Sequence, residues 1–281
     1  MTTEELIAAR RAEPWREALR KSKKNKERTD IPRVEMNELD AEYRSHTRLE
    51  EVNIGLTKEQ AMQEAQRCLD CPNPTCMQGC PVSINIPTFV KNIERGEFLE
   101  AARVLKETSA LPAVCGRVCP QEKQCESKCI HLKMGKPAVA IGYLERFAAD
   151  YERESGNISI SEVAEKNGIK IAVVGSGPAG LSFAGDMAKR GYDVTVFEAL
   201  HEIGGVLKYG IPEFRLPNKI VDVEIEGLRK MGVKFMTNCI VGKTISYDDL
   251  HADGFKGIFA ASGAGLPNFM NIPGENLVGV M

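Results

Sequence analysis

Hydrophobic and polar positions divide the chain into a helical first part and a second part in which strands alternate with helices. Thr57 and Gln60 form a capping-box pattern that predicts a helix start, and Ala61, Ala65 and Leu69 follow at helical spacing. Two more apolar stripes predict two further helices: Phe89, Val90 and Ile93, then, after Gly96, Phe98, Ala101, Ala102 and Leu105. Residues 51–153 are therefore expected to form an all-α domain.

A longer helix is predicted to start near Pro137, with an apolar face formed by Ile141, Leu144, Ala148 and Tyr151. Glu145 lies on the same face. Burial of a carboxylate is unfavourable unless it is paired or bound to a metal. Glu145 is therefore either an edge residue whose carboxylate reaches water or a group that needs a partner.

The second part begins after a polar stretch, residues 154–168, which is expected to be a linker. The continuous apolar run Ile169–Val174 predicts a buried strand and leads into the glycine-rich sequence GSGPAG. Helical spacing over Pro178–Arg190 and a second apolar run, Tyr192–Phe197, complete a βαβ pattern. Residues 169–281 are therefore expected to form a Rossmann-like α/β domain.

GSGPAG has the G-x-G-x-x-G form of a dinucleotide-binding loop, and the candidate cofactor-binding residues in it are Gly175, Gly177, Pro178, Ala179 and Gly180. In this motif the glycines let the chain turn, let backbone approach a pyrophosphate and let the helix pack on the strand. The helix N-terminus presents free N–H groups to the phosphates. Glu198 ends the second strand, where a carboxylate can accept hydrogen bonds from a ribose.

The motif alone does not choose between FAD and NAD, but two later stretches favour FAD. Gly204 and Gly205 follow Glu198 closely, in a loop whose backbone could approach a large cofactor. Phe259–Gly265 is predicted to be an apolar strand that runs into small residues, against which a ligand could lie. Plain turns are the alternative interpretation of both stretches.

Eight of the nine cysteines lie in two runs between residues 68 and 129. The first run has the spacing C-x2-C-x4-C-x3-C-P, close to that of bacterial ferredoxins, in which the fourth cysteine binds the other cluster. The spacing predicts two [4Fe–4S] clusters with ligands from both runs: Cys68, Cys71, Cys76, Cys80, Cys115, Cys119, Cys125 and Cys129. The ninth, Cys239, lies in the strand-like VKFMTNCIVG and is expected to be an ordinary buried residue.

Zinc and disulfides are the alternatives for these cysteines. Structural zinc prefers paired C-x2-C units, and Cys68–Cys71 is the one such unit in the sequence. Disulfides need an oxidising compartment, and the N-terminal sequence MTTEELIAARRAEPW has no apolar signal segment. Both alternatives are therefore weaker than iron–sulfur clusters.

The length of 281 residues suggests about two domains, and the formal net charge of −2 gives no general attraction to nucleic acid or to a membrane. No apolar run approaches the ~18 residues of a membrane span, so a cytoplasmic protein is expected. Residues 1–50 form a charged arm in which the stretch from residue 20 to 28 holds six basic residues and one acid. This stretch is either a solvated, frayed helix or a docking arm for a partner subunit.

Five stretches together resemble one family of oxidoreductases: RCLDCPNPTCMQGCPVSINIP, CGRVCPQEKQCESKC, VVGSGPAGLSFAGDMAKRGYDVTVFEA, GGVLKYGIPEFRLP and FAASGAGLPNFMNIPGEN. The family includes the small subunit of NADPH-dependent glutamate synthase, the large subunit of ferredoxin:NADP transhydrogenase and the N-terminal region of dihydropyrimidine dehydrogenase. The resemblance covers about residues 35–281. It implies an electron-transfer subunit that passes electrons from NAD(P)H through FAD and two [4Fe–4S] clusters to a larger partner with its own flavin, in a hetero-oligomer.

The resemblance also implies a ligand set. One cluster would be held by Cys68, Cys71, Cys76 and Cys129, and the other by Cys80, Cys119, Cys125 and Glu145. Cys115 would then lie beside the second cluster without binding it, whereas spacing alone makes Cys115 the eighth ligand. We follow the family, and Glu145 thereby gains the partner that its burial requires.

Family members continue with a second dinucleotide domain, for NAD(P)H, and then complete the FAD domain. This sequence reaches Met281 after the first part of the FAD domain and contains no second glycine loop of that type. It is therefore expected to be the N-terminal portion, with an incomplete FAD domain and little NADPH oxidation of its own. The favoured function is glutamate synthesis. The alternatives are the electron-input part of a pyrimidine-reducing or ferredoxin-linked enzyme, and a non-catalytic iron–sulfur remnant.

Overall fold

The computed structural model describes residues 3–265 and 268–280, in which a helical part is followed by a parallel sheet with helices on both faces. The helices of the first part are α1 (Thr3–Arg11), α2 (Pro14–Ser22), α3 (Asn25–Asp30), α4 (Ala41–Ser45), α5 (Lys58–Gln66), α6 (Thr75–Gln78), α7 (Ile86–Glu94), α8 (Phe98–Lys106), α9 (Pro112–Val118), α10 (Ile130–Lys133) and α11 (Ile141–Ser155). Two 3₁₀ turns, Gln121–Lys123 and Glu126–Lys128, lie between α9 and α10.

This part is not purely α-helical, contrary to the sequence prediction. Strands β1 (Asn37–Glu38) and β2 (Asn53–Gly55) form a short antiparallel pair. The Asn37 side chain donates to the Gly55 carbonyl at 2.8 Å and to the Gln60 side chain, so the pair is fixed to the start of α5. Two such short strands have no alternating apolar pattern by which the sequence could reveal them.

The helices α5, α7, α8 and α11 enclose the core of the first part, and its fully buried members include Phe89, Ile93, Leu105 and Leu144. The predicted capping box is present at the start of α5. The Thr57 hydroxyl accepts a hydrogen bond from the Gln60 N–H at 3.2 Å, and the Gln60 side chain accepts one from the Thr57 N–H at 2.9 Å. The prediction of this helix start is confirmed.

Helix α11 starts at Ile141, and the prediction of a start near Pro137 is wrong. The backbone before α11 is extended because it bonds to side chains elsewhere. The carbonyl oxygens of Pro137 and Ala138 accept from the guanidinium of Arg67, and the Ala140 N–H donates to Glu64 at 2.8 Å. These long-range partners replace the bonds that another helical turn would make.

The charged arm packs against the helical part. Arg16 of α2 and Arg28 of α3 are each 1% exposed and form ion pairs with Asp70 and Glu94. Most lysines between residues 20 and 28 are exposed. The expectation of a solvated, frayed helix is therefore wrong for these arginines. Their carboxylate partners lie far away in the sequence, so the local pattern could not reveal them.

The second part contains β3 (Lys170–Val174), β4 (Asp193–Phe197), β5 (Lys234–Met236) and β6 (Phe255–Ala260), all parallel, in the order β5-β4-β3-β6. Its helices are α12 (Pro178–Lys189), α13 (Val206–Tyr209), α14 (Asn218–Lys230) and α15 (Tyr247–Ala252). Val173 faces a core shared with α12 and α14, and its neighbour Ala172 faces the smaller core under α15. The predicted βαβ unit is present, with its boundaries within one residue.

Two predictions near the edge strands β6 and β5 are wrong in part. β6 ends at Ala260, opposite Val174, the last residue of β3, so the following residues have no ladder partner and form a loop. Cys239 lies beyond the end of β5 and is partly exposed, not buried in a strand. Leu266, Pro267 and Met281 of the sequence stretches considered above lie outside the described residues.

The two parts share a core. Leu111 and Val114, at the start of α9, pack in the same apolar cluster as α12 and α14. Glu224 of α14, which is buried, accepts a hydrogen bond from the Ala113 N–H at 2.6 Å. Helix α9, which contains Cys115 and ends immediately before Cys119, is therefore held by the second part.

None of the helices in residues 3–265 and 268–280 combines the length and the apolar character that crossing a membrane requires.

Candidate functional site

Four candidate cysteines from the two runs line one cavity. Cys68 follows α5, Cys71 lies in the next loop, Cys76 is in α6, and Cys129 immediately precedes α10. The rest of the lining is mostly apolar and includes residues of α7 and the segment before α11. The structure thus brings together the four residues that the family resemblance assigns to one cluster.

The thiols of this group influence one another. Burial raises the pKa of Cys68 to about 11. Burial and the neighbouring sulfurs of Cys68, Cys129 and Cys71 raise the pKa of Cys76 well above its usual value. Without a positively charged core these groups are therefore protonated, and thiolate ligation requires that a metal displace the protons.

Glu145 lies with Cys80, Cys119 and Cys125 in a second group. Its carboxylate is buried in α11, and one oxygen has no hydrogen-bond partner among the described residues. Burial, followed by the charges of Cys119 and Glu224, raises the pKa of Glu145 well above its usual value. Burial and nearby carboxylates, Glu145 among them, raise the pKa of Cys125 to about 12. An unpaired buried carboxylate beside three cysteines has the chemistry of a metal ligand.

Cys115 and Cys119 lie one turn apart, the first within α9 and the second immediately after it. The Cys115 thiol donates a hydrogen bond to Cys119, which lowers the pKa of Cys119 to about 7 and raises the pKa of Cys115. The two thiols therefore lie close enough to interact, and Cys115 lies beside the second group.

Among residues 3–265 and 268–280, no three His, Cys, Asp or Glu side chains converge as ligands of a single metal ion would. The candidate ligands instead surround a space, as described for the first group. The Cys239 thiol accepts a hydrogen bond from the Thr244 hydroxyl at 3.7 Å, and the Cys239 N–H donates to the Glu198 carbonyl oxygen at 2.9 Å.

The sequence patterns did not reveal the charged residues around the first group of cysteines. Asp70, which is fully buried between Cys68 and Cys71, forms ion pairs with Arg16 and Arg20. Lys91, also fully buried, donates to the carbonyl oxygen of Cys68 at 2.5 Å. One feature of the sequence could have indicated them: Asp70 lies between two candidate ligands, and a carboxylate buried there needs a cation as its partner.

The glycine loop has the tight geometry that its motif predicts. Gly175 has φ +99°, and a Cβ there would lie 2.4 Å from the Ala261 carbonyl oxygen. A Cβ at Gly180 would lie 2.0 Å from the Gly175 carbonyl oxygen, whereas a Cβ at Gly177 would meet no atom within 4 Å. The first and third glycines are therefore required by packing, and the second leaves its side open to a ligand.

The other candidate residues lie against this loop. A Cβ on Gly205 would be 2.9 Å from the Gly177 Cα, and Pro178 and Ala179 form the first turn of α12. The carboxylate of Glu198 accepts hydrogen bonds from the backbone and hydroxyl of Ser176 and from the Leu200 N–H. Ser176 also accepts from the Gly204 N–H at 2.9 Å. The motif allows any residue at position 176, and here the hydrogen bonds of Ser176 connect the glycine loop with Glu198 and with Gly204.

Two family models match the chain. One, described as dihydropyrimidine dehydrogenase domain II, 4Fe-4S cluster, matches residues 44–157, and the other, an NAD(P)-binding Rossmann-like domain, matches residues 173–231. The NAD-dependent dihydropyrimidine dehydrogenase subunit PreT of Escherichia coli is 39% identical over 224 residues. The NADPH glutamate synthase small chain of the same organism is 39% identical over 204 residues. The chain is similar to both of these subunits.

This chain spans about half the length of these relatives. The aligned residues are 79% of this chain and 54% of PreT, and 72% of this chain and 43% of the glutamate synthase small chain. The two family models and the parallel sheet confirm the predicted order of an iron–sulfur domain and a Rossmann-like domain. Among solved structures, a variant of FprA from Mycobacterium tuberculosis is 24% identical with a TM-score of 0.34, over 41% of this chain and 27% of that chain. A score this low does not establish a shared fold.

Proposed function

We propose that this chain is a cytoplasmic electron-transfer subunit that passes electrons from NAD(P)H through FAD and two [4Fe–4S] clusters to a larger partner subunit with its own flavin. The observation that carries the proposal is the cavity lined by Cys68, Cys71, Cys76 and Cys129, which come from two distant runs of the sequence. The family adds support, because its members are named as subunits of NAD(P)H-linked oxidoreductases.

When bound, FAD accepts a hydride and releases single electrons, which [4Fe–4S] clusters can carry. The four cysteines that line the cavity would hold one cluster. Cys80, Cys119, Cys125 and Glu145 would hold the other, and the Cys115 thiol would donate to the Cys119 sulfur. Hydrogen bonds to ligand sulfurs are among the factors that set the potential of such a cluster.

The glycine loop and α12 would bind the pyrophosphate of FAD. The open side of Gly177 allows backbone to approach the phosphates, and the N–H groups of Ala179 and Gly180 belong to the unsatisfied first turn of α12. Glu198 would accept from a ribose hydroxyl, since a carboxylate has more acceptor sites than its three present donors use. Gly204 and Gly205 would line the same site.

A groove of about 350 Å³ joins the two parts beside the second group of ligands. Cys119 and Arg146 of the helical part line it together with Phe214 and Arg215 of the second part. We therefore place the second cluster next to the flavin domain. The cluster of the cavity would then receive electrons from the second cluster.

Glutamate synthesis is our first proposal for the reaction that the electrons serve, and NADPH for their source. Pyrimidine reduction is the second candidate, favoured by the family model that matches residues 44–157. Combining the chain with the larger subunit of each enzyme distinguishes them: glutamate formed from 2-oxoglutarate and glutamine supports the first, and uracil reduction supports the second.

Ligand variants test the assignment of the two clusters. In the anaerobically prepared chain, Cys76→Ala and Cys80→Ala should each remove about half of the iron and a different EPR signal after reduction. Glu145→Ala should remove the same signal as Cys80→Ala, and Cys115→Ala should keep both signals. The matched control, Cys239→Ala, should change nothing. If Cys115→Ala removes one cluster while Glu145→Ala keeps both, the assignment of Glu145 is wrong.

A further inference from the structure

Three arginines of the N-terminal arm converge on one residue of the first cysteine loop. Arg16 donates to both carboxylate oxygens of Asp70, at 2.5 and 3.2 Å, and Arg20 donates to one of them at 2.6 Å. Arg11 donates to the backbone carbonyl of Asp70 at 2.9 Å. Asp70 lies between the candidate ligands Cys68 and Cys71, so the arm bonds directly to the ligand loop.

Asp70 is held in an unfavourable backbone conformation. Its φ is +52°, in the left-handed region that residues other than glycine rarely adopt, and it is fully buried. Such a conformation persists only where the surrounding structure imposes it. The guanidinium groups of Arg16 and Arg20 supply that constraint, because a buried carboxylate turned away from them would lose both ion pairs.

The charges near this loop do not cancel. Arg16 and Arg20 face one carboxylate, Asp70, and leave one net positive charge. Lys91 and Arg28 likewise share one carboxylate, Glu94, and Lys91 donates to the carbonyl oxygen of Cys68. All of these groups except Arg20 are nearly inaccessible to water, so solvent screens their fields weakly.

The charges beside the second group of ligands balance. Arg117 and Arg146 line the groove there together with Cys119, and they pair with two carboxylates, Glu51 and Asp150. The two groups therefore differ in local charge, although both are rich in cysteine.

We propose that Arg16 and Arg20 are positioning residues that hold the Cys68–Cys71 loop through Asp70 and raise the reduction potential of the cluster bound there. The proposal rests on the proposed function, because it requires a cluster at these cysteines. Reduction adds a negative charge to the cluster, and nearby cations stabilise the reduced form. The cluster near the arm is therefore the more easily reduced of the two, which directs electrons away from the flavin domain.

Arg20 is the residue to vary, because its side chain is 21% exposed and its loss leaves Asp70 paired with the buried Arg16. The full chain, reconstituted anaerobically with iron and sulfide, is reduced stepwise and followed by EPR. The signal that Cys76→Ala removes belongs to the cluster near the arm. Arg20→Gln should lower its midpoint potential by about 59 mV, a tenfold change in a one-electron equilibrium. Arg20→Lys, which keeps the charge, should restore most of that loss.

Arg103→Gln is the matched control, since Arg103 also pairs with a carboxylate, Glu100, but is more than half exposed on α8. It should leave both potentials unchanged, and Arg20→Gln should leave the other cluster unchanged. Equal potentials in wild type and Arg20→Gln, or equal shifts in the Gln and Lys variants, would overturn the proposal. If Arg20→Gln loses the cluster, a wild-type potential in Arg20→Lys still supports it, and loss in both variants refutes the role of charge.

The failure of the proposed function gives a different result. In that case the wild-type chain itself lacks iron and EPR signals after reconstitution, and no variant is informative about potential. A chain with two normal signals that do not respond to Arg20 refutes the further inference alone.

Discussion

Glu145 and Glu224 are two buried carboxylates near α9, and their surroundings differ. Glu224 accepts from the Ala113 N–H at the start of α9, whereas Glu145 has an oxygen without a partner in the described part of the chain. Glu224 therefore has a structural role that the fold itself explains. Glu145 has none, and a metal ligand is the role that would explain its burial.

The pKa of Glu224 makes stability depend on pH. Burial raises this pKa from an ordinary value of 4.5 to about 7. The folded chain therefore holds the proton more tightly than the unfolded chain, and stability falls as pH rises from 4.5 to about 7. Glu224→Gln should remove this loss, so its advantage in free energy of unfolding over wild type should grow by about 2 kcal/mol between about pH 5.5 and about pH 8.

Urea unfolding at both pH values measures this difference. Glu226→Gln is the control, because Glu226 lies on the same helix but is exposed. A difference between Glu224→Gln and wild type that is the same at both pH values would show that folding does not raise the pKa of Glu224.

The glycines of the loop should differ in what their substitution disturbs. Gly177→Ala should keep thermal stability, because its Cβ meets no atom, but should weaken FAD binding at least about tenfold, or 1.4 kcal/mol, by obstructing the phosphates. Gly180→Ala should lower the melting temperature, since its Cβ would lie 2.0 Å from a carbonyl oxygen. Flavin-fluorescence titration and thermal unfolding of both variants check this. Unchanged FAD affinity in Gly177→Ala would refute the binding role of the loop.

The elements that the sequence predicts well are those with local signals. The capping box marks the start of α5, and the βαβ unit is marked by apolar runs and a glycine loop. The start of α11 and the docking of the arm were missed, because both depend on buried ion pairs and hydrogen bonds between residues far apart in sequence, such as Arg67 with Pro137. Periodicity carries no information about such partners.

The cap of α5 should stabilise the helix that leads to Cys68. Thr57→Ala removes an acceptor for the Gln60 N–H and should cost about 1 kcal/mol in the free energy of unfolding. It should also speed iron loss to a chelator, because α5 ends two residues before the candidate ligand Cys68. Ser246→Ala, which removes a similar cap on α15, should cost as much in stability without affecting iron. If both variants lost iron at the same rate, the cap of α5 would have no specific effect on iron retention.

In the whole molecule, the cluster ligands and the glycine loop belong to two parts that share a core at α9, α12 and α14. The candidate cysteines could be named from the sequence, but their division into two groups came from the family resemblance. The structure brings each group together and places Cys115 beside Cys119. Spacing alone could not separate Cys115 from Glu145, because the choice depends on the packing of α9 against α11.

Iron and acid-labile sulfide content of the anaerobically purified chain tests the central claim most directly. Two [4Fe–4S] clusters predict about eight iron and about eight sulfide per chain, with no stoichiometric zinc. Iron and sulfide near zero, together with about one or two zinc per chain, would contradict the account, because such cysteines would then bind structural zinc.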